Sequence, residues 1–169
     1  MNALHLIAPV LLALSAGQAG LVTAQDNLSA ETAKVLLYPE SANGPAVLNQ
    51  ALARAAASNH RAVIVFGADW CHDSRALAKV LTSEAFKNEF SARYDVSFID
   101  VGKPQTGAGH NLDLVKLLGV KNLKSTPALF VISPQGKLLN GKKDAVSWRN
   151  AESRGIQAIT AWFRGFDKK

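Results

Sequence analysis

Cysteine is nearly absent from this chain. Its 169 residues include one, Cys71, so no disulfide can close within the molecule. Three readings of that thiol remain: an intermolecular disulfide, a free reactive group, or an inert core residue. Fixed positive charge is absent from the start of the chain, because all 19 lysines and arginines lie beyond residue 33. Long apolar runs are absent too. The longest near the start, Leu4 to Leu14, is too short to span a bilayer as a typical transmembrane helix. No cysteine follows it closely, which excludes a lipid-bearing cysteine there. The formal net charge is +6, but no dense basic block occurs beyond Lys142-Lys143 and Lys168-Lys169. Scattered cations of this kind read as a solvated surface, and nucleic acid is not an expected partner. Repeats, low-complexity stretches, Ser-His-Asp patterns, phosphate-cradling loops and paired-carboxylate motifs are also missing.

What is present begins with an export pattern. The apolar run gives way to small residues ending Val22-Thr23-Ala24, which suits signal peptidase. Residues 1–24 therefore read as a signal peptide. The mature chain is expected to begin near Gln25, in the periplasm or outside the cell, with no stable membrane insertion after cleavage. Such a space is oxidising, and a lone cysteine is unusual there. Residues 25–44 read as a lead-in, with a short strand over Val35–Tyr38 broken by Pro39 and Asn43-Gly44-Pro45. Residues 45–169 form one domain, with enough chain for a sizeable core.

Within that domain, Ala46 to Ser58 carries Val47, Leu48, Leu52 and Ala55 at helical spacing. Val63-Ile64-Val65-Phe66 is an apolar run of buried-strand type. From Asp73 the spacing turns helical again, with Ala76, Leu77, Val80 and Leu81 on one side. That helix should end near Thr82-Ser83, and a further turn should bury Phe86 and Phe90. Val96 to Val101 reads as a strand, Gly102 to Gly109 as a flexible loop, and Leu112 to Leu118 as a short helix stopped by Gly119. Ala128–Ile132 and Lys137–Leu139 read as strands of a hairpin around Pro134-Gln135-Gly136. Lys142 to Asn150 reads as a loop, and Ser153 to Phe166 as a closing helix. The alternation implies an α/β fold with a central mixed β-sheet flanked by helices.

Cys71 falls where a strand hands over to a helix. Free N–H groups and the positive end of the helix dipole favour an anion at such a point, and a thiolate is an anion. The segment Trp70-Cys71-His72-Asp73-Ser74 resembles the active-site segment of the thioredoxin superfamily, with serine in place of the second cysteine. Lys124-Ser125-Thr126-Pro127, followed by the strand Ala128–Ile132, is similar to a second element of that family. There a cis-proline opens a strand and faces the active-site cysteine. The resemblance covers roughly residues 45–166 and implies a thioredoxin-like fold.

It also implies roles. Cys71 would be the nucleophile, shielded by Trp70. Thr126 and Pro127 would offer a backbone edge to an extended substrate, with His72 and Asp73 beside it. Ser74 cannot resolve a mixed disulfide as a second thiolate would, but its hydroxyl could donate to the Cys71 thiolate. Dithiol members usually carry a buried aspartate six positions before the first cysteine, and here that position is Val65. The implied activity is monothiol exchange with disulfides or thiols of envelope proteins, or with low-molecular-weight thiols, resolved from outside. The alternative is a non-catalytic peptide-binding or chaperone-like module that keeps the groove. No cofactor is called for. A metal site built from Cys71, His72 and His110 is disfavoured, since adjacent residues seldom ligate one ion.

Overall fold

The computed structural model describes residues 36–40 and 42–167. The signal peptide read at 1–24, the start near Gln25, Val35 and Lys168-Lys169 lie outside them. Among the described residues no helix is long and apolar enough to cross a membrane.

The first helix, α1, spans Gly44–Ser58; the Asn43 side chain caps it by accepting from the Ala46 N–H at 3.0 Å. Strand β1, Arg61–Gly67, lies in the centre of a sheet. On one side it pairs in parallel with β2, Tyr94–Asp100; on the other it pairs antiparallel with the strand Ala128–Ile132. The sheet is therefore mixed, and its middle strand is buried on both faces, which explains the unbroken apolar run at Val63–Phe66.

Helix α2, His72–Leu81, leaves β1 through a tight turn and buries Leu77, Val80 and Leu81. Ser83 caps the short α3, Glu84–Phe90, which buries Phe86 and Phe90. Both pack on the sheet face formed by Val63, Val65, Leu129 and Val131, together with the closing helix. The opposite face, with Ile64, Phe66 and Phe130, is covered by α1 and by α4, Leu112–Leu117. Each fully buried phenylalanine there contributes roughly 1.5–3 kcal/mol by transfer from water.

Five expectations change. The segment 36–38 is not a strand; the Leu37 and Tyr38 N–H groups donate to the Asp69 carboxylate at 3.3 and 2.9 Å. The Gly102–Gly109 loop holds two short strands, β3 (Gly102–Lys103) and β4 (Ala108–Gly109), around a 3-10 turn. The strand Ala128–Ile132 is thus β5. Lys137–Leu139 meets it at a single bridge, Ile132 to Leu138. Asn140 explains the difference. Its side-chain amide accepts from the Val131 N–H at 2.9 Å and donates to the Leu129 carbonyl at 2.8 Å, so one residue takes the place of a strand.

Finally, 142–150 is not a loop. Lys142–Val146 forms α5, and a 3-10 turn, Ser147–Asn150, follows it, burying Ala145 and Trp148. The closing helix α6 runs Ala151–Phe166, earlier than the spacing implies, with a break at Gly155 where φ is +70°. Only glycine holds that conformation without strain.

Gly67 closes β1 against the ring of Tyr38. A Cβ placed there would lie 2.6 Å from the Tyr38 ring and 2.8 Å from the Ser74 hydroxyl. Gly67→Ala is therefore expected to destabilise the fold by about 1–3 kcal/mol. The check is urea unfolding, with a lowered midpoint at unchanged slope; an unmoved midpoint would contradict this packing.

Candidate functional site

Three elements build the site. β1 ends at Gly67, and Ala68-Asp69-Trp70 turns the chain. The Cys71 N–H closes that turn on the Ala68 carbonyl at 3.1 Å. Cys71 is then the N-cap of α2, with extended backbone angles, and its carbonyl accepts the Arg75 N–H at 3.1 Å. Its side chain makes no capping bond. Instead, the sulfur lies 3.5 Å from the Thr126 carbonyl, to which the thiol donates weakly. The Thr126–Pro127 peptide bond is cis and leads directly into β5. Cys71 is 7% exposed and so is nearly buried.

Beside it lies a shallow cavity of about 270 Å³. Trp70, Cys71, Asp73, Ser125 and Thr126 form part of the wall, and Gln105, Lys124 and Arg149 complete it. Trp70 is 42% exposed. Its indole N–H donates to the Gly102 carbonyl at 2.9 Å, which fastens the ring to the start of β3. That loop is itself tied down: the Gly102 N–H donates to Asp100 at 2.9 Å, and the His110 ring pairs with the same carboxylate. Burial pushes the Asp100 carboxyl up, while the Gly102 N–H and His110 pull it down.

The serine behaves otherwise than its place in the motif implies. Ser74 is fully buried and its hydroxyl has no hydrogen-bond partner in the structure. It does not reach the Cys71 sulfur as a donor. Its backbone carbonyl accepts from the Tyr38 hydroxyl at 3.2 Å, so Tyr38 packs beneath the site. Val65 is wholly buried among apolar groups and supplies no base.

His72 and Asp73 part company. Asp73 borders the cavity, yet its carboxylate accepts the Glu152 N–H at 2.9 Å, satisfying a free donor in the first turn of α6. His72 is exposed and turns toward Asp73 and Glu152, at 3.1 and 3.7 Å. It lines the groove between α2 and α6, not the cavity at the thiol. His110 is occupied with Asp100, and no cluster of three potential metal ligands occurs among the described residues.

No role was assigned from sequence to Gln105, Lys124 or Arg149, although Lys124 opens the segment Lys124-Ser125-Thr126-Pro127. Gln105 and Arg149 sit in segments read as loops, whose placement depends on the folded 3-10 turns.

Comparison with known proteins fits this geometry. The family model of a thioredoxin-like domain matches residues 48–148. The crystal structure of a disulphide isomerase from Xylella fastidiosa Temecula1 superposes with a TM-score of 0.70 at 30% identity, covering 80% of this chain and 99% of that one. No curated protein matches the sequence.

The tyrosines give a pH test of the packing under the site. Burial pushes the Tyr38 hydroxyl well above its usual range, and the neighbouring Cys71, Asp69 and Asp100 add to this. Burial likewise raises Tyr94 to about 12, against the pull of Arg61. These are the only 2 tyrosines in the chain. Their folded values exceed the unfolded value, so the stability they support is complete below pH ~10 and is lost as pH climbs through ~12. Native protein should therefore show little tyrosinate absorbance near pH ~10, where a free tyrosine is about half ionised. Half-maximal ionisation at that pH would contradict the burial of both rings.

Proposed function

This chain belongs to the thioredoxin-like family, and on that premise we propose that it is an exported thiol protein that exchanges disulfides through Cys71 alone. The carrying observation is the seating of the Cys71 sulfur. Cys71 holds the N-cap position of α2, its sulfur rests against the Thr126 carbonyl beside cis-Pro127, and the residue borders a cavity at the molecular surface. The fold and the likeness to a disulphide isomerase support thiol–disulfide chemistry. Export rests on the leader pattern at residues 1–24.

In the proposed reaction the Cys71 thiolate attacks one sulfur of a substrate disulfide. A Cys71–substrate bond forms, the substrate S–S bond breaks, and its other half departs as a thiolate. The mixed disulfide persists until a second thiol, supplied from solution or by a partner, attacks it and restores Cys71. Nothing in the chain does this internally. Ser74 is a hydroxyl, and Val65 offers no carboxylate to activate a resolving group. Envelope proteins with disulfides or thiols, and small thiols, are the partners this chemistry suits.

The near-complete burial of Cys71 favours a second reading, a groove-keeping binding module that does no chemistry. One experiment separates them. The folded protein is incubated with a small disulfide and its intact mass is followed. The exchange reading expects one adduct at Cys71, removed by added thiol and absent from Cys71→Ser. No adduct on folded protein would leave only the binding module. In the same assay Ser74→Cys is expected to lose two hydrogens on oxidation, as an internal disulfide forms one helical turn from Cys71. A persistent mixed disulfide in that variant would mean the side chains of residues 71 and 74 do not meet.

A further inference from the structure

The cavity beside Cys71 has a charge pattern that the exchange chemistry does not require. Two cationic side chains, Lys124 and Arg149, stand in its wall with the Gln105 amide. All three are exposed, and neither cation makes an ion pair or hydrogen bond with a described residue. The one acidic group in the wall, Asp73, is already engaged by the Glu152 N–H and by His72. The wall also contains Thr126, which is 4% exposed and whose buried hydroxyl has no hydrogen-bond partner in the structure. A thiol site that served any disulfide would need none of this. Unpaired cations around a small cavity attract anions and raise their local concentration.

We propose that this cavity selects small disulfides that carry carboxylates, with Lys124 and Arg149 as the specificity-determining residues and Gln105 as a further hydrogen-bond donor. The proposal rests on the exchange reading given above. The cavity, at about 270 Å³, is near the lower end of small-ligand sites and suits a short peptide or amino-acid disulfide rather than a folded partner. The carboxylates lie against the two cations while Cys71 attacks the nearer sulfur. The S–S bond breaks, the Cys71–S bond forms, and the departing half leaves as a thiolate, also drawn to the positive wall. An external low-molecular-weight thiol then displaces the bound half and regenerates Cys71.

The test compares second-order rate constants for modification of Cys71 by two alkyl disulfides, the dicarboxylate dithiodipropionate and the diamine cystamine. Their intrinsic reactivities differ, so the reading is the ratio of the two constants and how it moves. In Lys124→Gln/Arg149→Gln the ratio of anionic to cationic rate should fall about tenfold. In the unaltered protein it should fall as salt is raised, since exposed charges are screened. A ratio that moves less than about twofold under both changes would overturn the anion preference while leaving the exchange reading standing. If neither disulfide modifies Cys71, the exchange reading falls and this proposal falls with it.

Discussion

The antiparallel ladder between β1 and β5 determines where the thiol sits. Its last pair is Phe66 with Ala128. One strand leaves the ladder through Gly67 toward Cys71, and the other enters it from cis-Pro127. The Cys71 sulfur and the Thr126 carbonyl therefore meet just beyond the last pair, with no long side chain needed to bridge them. The sheet supplies this geometry because its centre is apolar on both faces. Shifting the register by one residue would turn Val65 and Phe66 to the wrong sides. Gly67 permits the rest: without a side chain there, Tyr38 and Ser74 close the space below the turn.

Around that fixed point the chain withholds the parts that a self-contained dithiol cycle needs. Ser74 is sealed under Tyr38, and Val65 contributes only packing. Ser74 is wholly buried, and its hydroxyl makes no hydrogen bond to the sulfur or to any other described group. The loop holding Trp70 is by contrast fully tied, from the indole to Gly102, then Asp100 and His110. The site is thus firmly positioned but chemically reduced to one sulfur. That combination suits exchange in which the second thiol comes from elsewhere.

Much of this was legible in the sequence. The apolar run at Val63–Phe66, the helical spacing after Asp73 and the Thr-Pro entry to β5 are local patterns, and each records a burial that the fold then realises. The parts that were not legible depend on tertiary partners. Leu37 and Tyr38 look like strand residues, yet the Asp69 carboxylate takes their N–H groups. Asn140 looks like a loop residue, yet its amide stands in for a strand edge. Asp73 reads as a neighbour of the substrate edge, yet its carboxylate closes the first turn of α6. Lys124 and Arg149 look like ordinary surface charge until the 3-10 turn after α5 brings the second to the cavity that the first also lines. In each case the deciding contact joins residues that no periodicity connects.

The central claim is that resolution comes from outside the chain. The direct measurement follows the mixed disulfide formed when the reduced protein meets a disulfide substrate with no other thiol added. Exchange through Cys71 alone predicts that this adduct persists until an external thiol is supplied, and then decays at a rate proportional to that thiol. Decay of the adduct to free protein and reduced substrate with no thiol added would contradict it.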